Sequence, residues 1–500
     1  MKKYILLPAM MVAAMLSTTA VKAQEDVNPL LKYVNKENNL KASIGGRMFA
    51  DVAYYHTEWT PMKSGAAITD ARIHASLTYG KLFIYADFGF GNGEFSQKNL
   101  FAQYTFKESL KGIHLVKAGY YNEPSSMSMM TSSYNYHFIS RPSVSQALDP
   151  GRSLGATYKF FNRHFFADQG IFSQLKYNEQ EEGYQGFSLS GRWLWKPIND
   201  NNITLQFGTG LRYQRINGGE VYQDGVYKTN MHVAANMQTY VDETTKFLSC
   251  DLPWAKDAFT ISPEFLFKSD RVFARGEFIW KKVWKDRDDQ TLFESQLGGQ
   301  QSWTNVEGWR SGNKLRPTIM NGGYVEFGYL LCGKAYTYDD EYGLLKGMGD
   351  KGGLELVARY SCTNLTDITD GDIFLIGNHK FYPNGKVVDY PYSSSIDGGT
   401  MHSVTLGLNY SFNQYIKIMG EYQYANLSNV YFPDDENFHQ LQLRVTPIGI
   451  YANGKTLKSG TKKQCEKYCR TKEITPEERV RKARSFILNP KQNKGEVTGK

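Results

Sequence analysis

Apolar and polar residues alternate along most of the chain with a period of two. From Ala42 to Tyr54, one set of alternate positions is apolar and the other is polar, with Phe49 as the exception among the polar positions. The scheme recurs at residues 70–79, where apolar residues alternate with Arg72, His74, Ser76 and Thr78. A period of two places successive side chains on opposite faces of extended chain. These segments are therefore predicted to be strands with one apolar and one polar face.

The pattern predicts about sixteen strands. Many of them are about 9–11 residues long, enough for a tilted strand to cross the hydrocarbon layer of a membrane. Tight links such as 161–163 and 412–414 alternate with long polar ones at 217–258, 284–321 and 362–400, as expected of a barrel with short turns at one end and long loops at the other. The predicted strands are 42–54, 70–79, 82–90, 100–106, 112–121, 153–160, 165–172, 187–195, 203–213, 259–268, 271–281, 322–332, 353–361, 402–411, 415–424 and 438–446.

The chemistry of the two faces distinguishes a membrane barrel from a soluble β-sandwich. A sandwich also alternates, but it hides its apolar face and turns its polar face to water. Here the polar face mixes basic residues such as Arg192 and Arg444 with carboxylates such as Asp51 and Glu277, which suits a water-filled lumen. The apolar face ends in aromatic residues such as Tyr54 and Trp195, as interfacial girdles do. The fold class predicted is all-β, a transmembrane antiparallel β-barrel.

Residues 121–151 interrupt the strands with about 30 residues that carry little β signal, and loops of this length in a compact domain are usually functional. The segment contains Met127, Met129, Met130, Tyr134 and Phe138, which need a surface to pack against. We therefore predict an inward-folded constriction loop in the barrel lumen.

The two ends of the chain differ from the barrel region at 42–446. Residues 1–23 fit a secretory signal peptide, with two lysines, an apolar run and a Val-Lys-Ala cleavage site, and residues 24–41 form a polar periplasmic leader. The net charge of +8 belongs to the basic C-terminal tail at 447–500, because Tyr451 to Lys500 hold 14 Lys/Arg against 5 Asp/Glu. The rest of the chain is close to neutral, so nucleic-acid binding is not predicted. The tail is expected to be solvated or weakly helical; read-through or a shifted reading frame would also explain it.

The five cysteines and nine histidines form no disulfide framework and no metal-binding pattern. Cys465 and Cys469 are four residues apart but lack partners at zinc-site spacing. No metal and no cofactor are predicted.

Several segments resemble one known family. The sequence KAGYYNEPSSMSMMTSSYNYHFISRP at 117–142, together with GGLELVARYSCTNLTD at 352–367 and GGTMHSVTLGLNYSFNQYIKIMGEYQY at 398–424, is similar to the phosphate-selective porins of Gram-negative outer membranes. NGGYVEFGYLLCGK at 321–334 resembles an earlier strand of the same family. The resemblance implies a sixteen-stranded homotrimeric barrel in the outer membrane, with the third extracellular loop folded inward.

The resemblance also implies how solutes are selected: basic side chains line the lumen, and hydroxyl and amide donors line the constriction. By position it places donors on the inward loop and basic residues on the two flanking strands, and the polar faces of the first two strands add two arginines. The predicted solute-path residues are Arg47, Arg72, Lys117, Thr131, Ser132, Ser133, Arg141 and Arg152. Each arginine could instead be a wall residue paired with a carboxylate of the adjacent strand, such as Arg47 with the neighbours of Asp51.

The predicted function is a porin that forms a water-filled channel for small anions, phosphate or polyphosphate among them, with outer-membrane lipid around it. One alternative is a non-conducting barrel that binds partners through its long extracellular loops. A barrel hydrolase is a further alternative, but Ser76 with His74 and Ser403 with His402 do not make a triad, and the chain has no G-x-S-x-G motif. The chain is accordingly not expected to be an enzyme.

Overall fold

We describe the fold from a computed structural model. It describes residues 31–35, 37–58, 60–174, 186–216, 230–253, 255–285, 317–348, 352–368, 374–376, 379–381, 395–412, 416–428, 435–447 and 457–458. The predicted signal peptide lies outside these residues, and so does the predicted tail apart from Pro447 and the short strand Leu457–Lys458.

Sixteen antiparallel strands pair in chain order, and the last pairs with the first across Asp51 and Arg444, so the sheet closes into a barrel. The predicted fold class is confirmed, and each predicted strand corresponds to one of the sixteen. The strands are β1 Leu40–His56, β2 Gly65–Tyr79, β3 Leu82–Gly89, β4 Ser96–Ser109, β5 Gly112–Asn122, β6 Arg152–Phe161, β7 Phe165–Ser173, β8 Phe187–Asn199, β9 Thr204–Arg215, β10 Ala255–Lys268, β11 Val272–Lys285, β12 Thr318–Cys332, β13 Gly353–Asp367, β14 Ser395–Ser411, β15 Ile416–Ser428 and β16 Glu436–Pro447.

The alternation in sequence becomes two faces of the wall. In β1 the side chain of Asp51 is 3% exposed, whereas that of the next residue, Val52, is 51% exposed. The polar side chains thus point into the lumen and the apolar ones point outward, which is the inverse of a soluble sandwich. Aromatic residues at strand ends, such as Tyr54 and Trp195, lie on the outer face as predicted.

The two ends of the barrel differ in the length of their connections. Gly80–Lys81, Leu110–Lys111 and similar short turns join strands at the end where β1 begins and β16 ends. By the usual asymmetry of such barrels, this is the periplasmic end. One connection there departs from the predicted pattern, because the 20 residues at 333–352 join β12 to β13.

Three connecting segments pack within the lumen. The first, here called the inner loop, is 123–151 and contains the helices α1 Met127–Met130 and α2 Ser143–Leu148. The second, the inner hairpin, is 230–253, with strands Asn230–Ala235 and Leu248–Pro253. The third, the inner turn, is 333–348, with the paired strands Tyr338–Asp339 and Leu344–Leu345. The expectation that 217–258 is simply a long polar loop is therefore wrong for its described part.

The inner segments bury their own apolar side chains. Met127, Phe138 and Leu148 of the inner loop join one cluster with residues of the inner hairpin, such as Met237 and Leu248. Because these residues find apolar partners inside the barrel, a methionine-rich connection can be stable in an otherwise polar lumen. Within the described ranges, no helix is both long and apolar enough to span a membrane.

Four short strands lie outside the ring. Leu31–Asn35 pairs antiparallel with the start of β1, so part of the predicted leader is extended chain. Phe374–Ile376 and His379–Phe381 pair with each other at the other end of the barrel. Leu457–Lys458 pairs with Leu31–Asn35.

Candidate functional site

A cavity of about 300 Å³ lies in the lumen between the inner loop and strands β1 to β6. Its lining includes all eight residues predicted for the solute path: Arg47, Arg72, Lys117, Thr131, Ser132, Ser133, Arg141 and Arg152. The four strand residues converge because consecutive antiparallel strands are neighbours and their polar positions share the inner face, and the inner loop supplies the other four. Seven cationic and three carboxylate side chains line the cavity, so its wall carries an excess of positive charge.

Hydrogen bonds to the barrel wall hold the inner loop in position. At its start, Glu123 accepts from Nε and Nη2 of Arg212 at 2.8 and 3.2 Å. Farther along, Glu277 accepts from the backbone N–H groups of Met127 and Ser128 at 3.1 and 3.3 Å. On the opposite wall, the side chains of Lys281, Arg359, Lys417, Glu421 and Arg444 bond to the loop backbone. The loop therefore crosses the lumen from β5 and is held by strands β9 to β16.

Two buried carboxyl groups of the inner loop have pKa values shifted in opposite directions. Burial alone would raise the pKa of Glu123. The Arg212 guanidinium and the hydroxyl groups of Ser190 and Ser188, which donate to Glu123, outweigh that effect and hold the pKa below its ordinary value. At the other end of the loop, burial raises the pKa of the Asp149 carboxyl to about 7, and Ser126 and Lys281 offset this only in part. The loop thus contains one stabilised carboxylate and one carboxyl group whose pKa lies near neutral pH.

Three of the seven cavity cations are paired with carboxylates of the wall. Arg47 Nε lies 3.3 Å from Asp70 Oδ2, and Arg72 Nε lies 2.6 Å from Asp70 Oδ1. Arg72 also reaches Asp87 at 3.2 Å. Arg47 is thus a wall residue paired with a carboxylate of the adjacent strand, as the alternative interpretation expected, and Asp51 itself accepts two hydrogen bonds from Arg444, at 2.7 and 2.6 Å. Which carboxylate each arginine reaches depends on register and side-chain direction rather than on proximity in sequence.

Arg141 is committed to its own loop. Its Nε donates to the carbonyl of Ser128 at 3.2 Å, and its Nη2 donates to those of Met129 and Thr131 at 3.3 and 3.2 Å. The Thr131 hydroxyl likewise donates to the carbonyl of Met127. Both residues line the cavity, but their principal contacts hold the inner loop in shape.

Lys98, Lys117 and Arg152 differ from the paired arginines and from Arg141. Among the described residues, none of the three has a carboxylate within ion-pair distance or a hydrogen bond to the inner loop. Arg152 Nε donates to the amide oxygen of Asn99 at 3.1 Å. Lys117 Nζ lies 3.8 Å from the ring centre of Phe101 and 4.0 Å from that of Tyr121. A neighbouring π face attracts a cation without neutralising its charge, so these positions remain electrostatically open to an anion.

Rings form the wall around Lys117, a feature that the sequence analysis did not predict. Phe83 and Tyr85 of β3, Phe101 of β4 and Tyr121 of β5 stand on the inner face with neighbouring ring centres 5.5–6.2 Å apart. Phe49, the apolar exception in the predicted polar face of β1, also lines the cavity. Aromatic residues at polar-face positions were the available signal for this wall.

The inner turn lies at the periplasmic side of the cavity. Its Tyr342 lines the cavity, with its ring centre 4.1 Å from Nζ of Lys159, and its Glu341 accepts from the amide of Gln103 at 3.2 Å. Arg192 donates to the backbone carbonyl of Tyr342 at 2.7 Å. Gln103 of β4 and Lys159 of β6 lie closer to the periplasmic ends of these strands than the residues of β4 and β6 that line the cavity. Nothing in the local sequence predicted that a periplasmic turn would enter the lumen.

No group of residues suited to hold a metal ion occurs in the part of the chain that the structure describes. The serines weighed as catalytic candidates have other contacts. Ser76 bonds to Ser43 across the strands, and Ser403 accepts from Gln238 of the inner hairpin.

Comparison with known proteins agrees with this architecture. The family model of the phosphate-selective porins O and P matches residues 43–446, while a sequence comparison with curated proteins gives no match. Similar solved structures include an anion-selective porin from Comamonas acidovorans, at 12% identity and a TM-score of 0.45, with 81% of this chain and 99% of that chain covered. They also include OmpT of Vibrio cholerae, at 10% identity and a TM-score of 0.45, with 83% and 99% covered. A third is the outer-membrane channel DcaP of Acinetobacter baumannii, at 9% identity and a TM-score of 0.36, with 84% and 100% covered.

At these identities the structural likeness concerns the barrel fold alone. The family model spans every strand of the closed ring, and this confirms the resemblance seen in the sequence motifs. A channel is accordingly indicated rather than an enzyme. The chain belongs to the phosphate-selective porin O and P family and is an outer-membrane porin.

Proposed function

We propose that this porin passes small anions, phosphate or polyphosphate among them, through the cavity beside the inner loop. The observation that supports this most directly is the presence of Lys98, Lys117 and Arg152 at the cavity without carboxylate partners in the described chain. Cations that are already paired contribute little net field, whereas these three can bind a passing anion. The paired arginines, Arg47 and Arg72, then serve mainly to shape the wall.

Selection would rest on exchanging water for protein donors. An anion entering a narrow, low-dielectric passage loses part of its hydration, and each donor there is worth more than it would be in bulk water. Arg152 offers a planar fork of donors and Lys117 a point charge. The Ser133 hydroxyl is buried and makes no hydrogen bond within the described chain, so it can add a neutral donor. Binding by a few such groups stays weak enough to allow release.

We propose that the inner loop is the constriction. It occupies the lumen at the level of the cavity, and its residues Thr131, Ser132 and Ser133 line one side of the passage. Its anchors on β9 to β16 leave the solute path between the loop and strands β1 to β6.

The proposal is tested by reversal potentials in a KCl gradient across planar bilayers, with and without added phosphate. The wild-type channel should prefer anions and be blocked by phosphate. Lys117→Gln and Arg152→Gln should each weaken that block by about tenfold, the order expected for loss of one hydrogen bond to a charged group. Lys111→Gln is the matched control, because Lys111 is exposed in a short turn away from the cavity.

Cation preference, or phosphate block unchanged in both cavity variants, would refute the anion path. An absence of ion-conducting steps from folded protein would instead favour the non-conducting binding barrel. This alternative is worth testing because the inner turn lies across the periplasmic side of the cavity.

We also propose that the porin is a homotrimer, as the family resemblance implies and as one form of Vibrio cholerae OmpT is described. Mass measurement of the purified protein in detergent should give three copies per particle. A monomeric mass under conditions that keep the barrel folded would overturn this.

A further inference from the structure

We infer that Asp87 is a specificity-determining residue, through which the cavity prefers oxyanions that keep a proton, such as hydrogen phosphate, to those that carry none, such as sulfate. The inference rests on the proposed anion path and specifies the chemistry of the solute within it. It comes from a buried acceptor in the cavity wall that lacks a donor, a feature that attraction of anions by cations does not require.

Asp87 stands in the cavity wall with one of its two carboxylate oxygens unpaired. The residue lines the cavity and is 3% exposed. Its Oδ2 accepts from Arg72 Nη1 at 3.2 Å and from Asn99 Nδ2 at 3.4 Å. Its Oδ1 is buried and has no hydrogen-bond partner among the described residues. Because a buried acceptor without a donor is costly, a solute hydroxyl group that reaches Oδ1 gains a hydrogen bond at a site that is already desolvated.

A cation lies one amide group away from this acceptor. Arg152 Nε donates to Asn99 Oδ1 at 3.1 Å, and Nδ2 of the same amide donates to Asp87. The bond at Nε leaves the two Nη groups of Arg152 for a solute. The oxygen and nitrogen of an amide are about as far apart as two oxygens of a tetrahedral oxyanion. An anion beside the Asn99 amide is therefore placed to accept from Arg152 with one oxygen and to donate to Asp87 from another.

The Asp87 carboxylate is free to turn its unpaired oxygen toward the cavity. The torsion about the Cβ–Cγ bond of an aspartate is broad, and the two bonds at Oδ2 are at or beyond the long end of the usual range. Arg72 does not depend on Asp87 alone, since its Nε also lies 2.6 Å from Asp70 Oδ1. A small rotation of the carboxylate thus leaves no cation of the wall unpaired.

The proton of the solute decides whether this arrangement attracts or repels it. Near neutral pH, phosphate keeps an O–H group that donates to a carboxylate, whereas sulfate has only acceptor oxygens. Sulfate in the same place would hold an oxygen against Asp87 with no hydrogen between them, and like charges repel strongly where water is excluded. A site that bonds a substrate hydroxyl group rejects the analogue that lacks it, because a buried polar group is then left unpaired.

The test compares hydrogen phosphate, fluorophosphate and sulfate as blockers of single-channel chloride current at about pH 8, where phosphate is mainly a dianion like the other two. Fluorophosphate has the shape and charge of hydrogen phosphate, with fluorine in place of the hydroxyl group. In the wild-type channel, hydrogen phosphate should block at least about tenfold more tightly than either of the others, the order expected for one hydrogen bond to a charged group.

Asp87→Asn should abolish most of that preference, chiefly by strengthening block by sulfate. The asparagine side chain can keep its oxygen toward Arg72 and turn its NH2 group to the solute, so that it donates where the aspartate accepts. Asp70→Asn is the matched control. Asp70 lines the same cavity, but its Oδ1 and Oδ2 are paired with Arg72 and Arg47, at 2.6 and 3.3 Å. Its replacement should change block by all three anions by a similar factor.

Equal block by the three anions in the wild-type channel would overturn the inference and leave the anion path intact, and this comparison needs no variant. A preference for hydrogen phosphate that survives in folded Asp87→Asn, or that is lost equally in Asp70→Asn, would overturn the assignment to Asp87. If none of the three anions blocks the current, the anion path and the inference are both overturned.

Discussion

The inner turn should limit conduction at the periplasmic end of the channel, and removing it should raise single-channel conductance. The perturbation is replacement of residues 338–345 by an Asn-Gly pair. Such a short join is feasible because the backbone N–H of Lys346 already donates to the carbonyl of Thr337 at 3.0 Å. Asn-Gly is the dipeptide that forms two-residue turns between such paired positions.

The structure sets the free energy that holds this segment in place. Five side-chain hydrogen bonds of 2.6–3.2 Å join it to the wall. At about 0.5–1.5 kcal/mol each, they contribute about 3–8 kcal/mol to docking. A docking free energy of that size keeps the released population below about 1%. The native channel should therefore conduct with the segment in place rather than by transient opening. The donors are on Arg192, Lys196, Asn199 and Gln103.

The barrel wall should tolerate the replacement. Arg192 keeps two hydrogen bonds to Glu264, at 2.7 and 2.8 Å. Lys196 keeps its bond to the carbonyl of Asn162 at 2.8 Å. Neither Arg192 nor Lys196 is thus left as a buried cation without a partner. Truncation of an ion pair is strongly destabilising only when it leaves such a cation behind.

The assay is single-channel conductance in planar bilayers, with the altered gel mobility of the unheated protein as the check that the barrel has folded. The replacement variant should conduct more than the wild type in the same salt. Lys346→Gln is the control, because this half-exposed residue lies just outside the replaced stretch and its loss should leave the segment docked. A folded replacement variant with unchanged conductance would show that the inner turn does not limit the path.

Three further predictions concern the inner loop. A Cβ at Gly210 would lie 1.8 Å from the Ser125 carbonyl oxygen, so Gly210→Val should displace the loop and change conductance; Gly420→Val, with open space around it, should not. Arg141→Ala removes one donor from three loop carbonyls, of which those of Ser128 and Met129 keep another, and leaving a carbonyl unsatisfied costs about 1–3 kcal/mol. Faster proteolysis of the loop should therefore accompany any weakened phosphate block, and unchanged proteolysis would contradict this role. Because the pKa of Asp149 is raised from 3.8 to about 7, its protonated form stabilises the fold, and this contribution should be lost as the pH rises from about 4 through 7. Thermal unfolding of Asp149→Asn should depend less on pH over that window, and identical pH dependence would refute the assignment.

The wall of this barrel was predictable from sequence because its cause is local. A period of two needs only neighbouring residues, and it predicted sixteen strands before any pairing was known. It also predicted the faces of most of them, although the segment from Phe165 to Phe172 was ambiguous. The convergence of Arg47, Arg72, Lys117 and Arg152 follows from the same property, since consecutive strands place their polar positions side by side. The other four predicted path residues reach the cavity only because the inner loop folds inward. Phe49, which broke the pattern, marks the aromatic lining of the cavity rather than an error in the strand.

The partners of those residues were not predictable. Arg47 pairs with Asp70 of the adjacent strand, a carboxylate that the sequence did not single out, and Arg141 bonds to its own loop. Each outcome depends on register, side-chain length and the path of the loop, which a residue's identity does not specify. A cation that lacks a carboxylate partner can be recognised only when the positions of all nearby carboxylates are known.

The sequence alone determined a closed wall with an apolar exterior, a polar lumen and an unusual connection at 121–151, because alternation and composition act over a few residues. Only the tertiary structure decided that the inner hairpin and the inner turn also occupy the lumen. Contacts such as Gln103 with Glu341 join residues more than 200 positions apart, and they exist only after the ring has closed and brought opposite walls together. The path of a solute is therefore a property of the closed barrel rather than of any single segment.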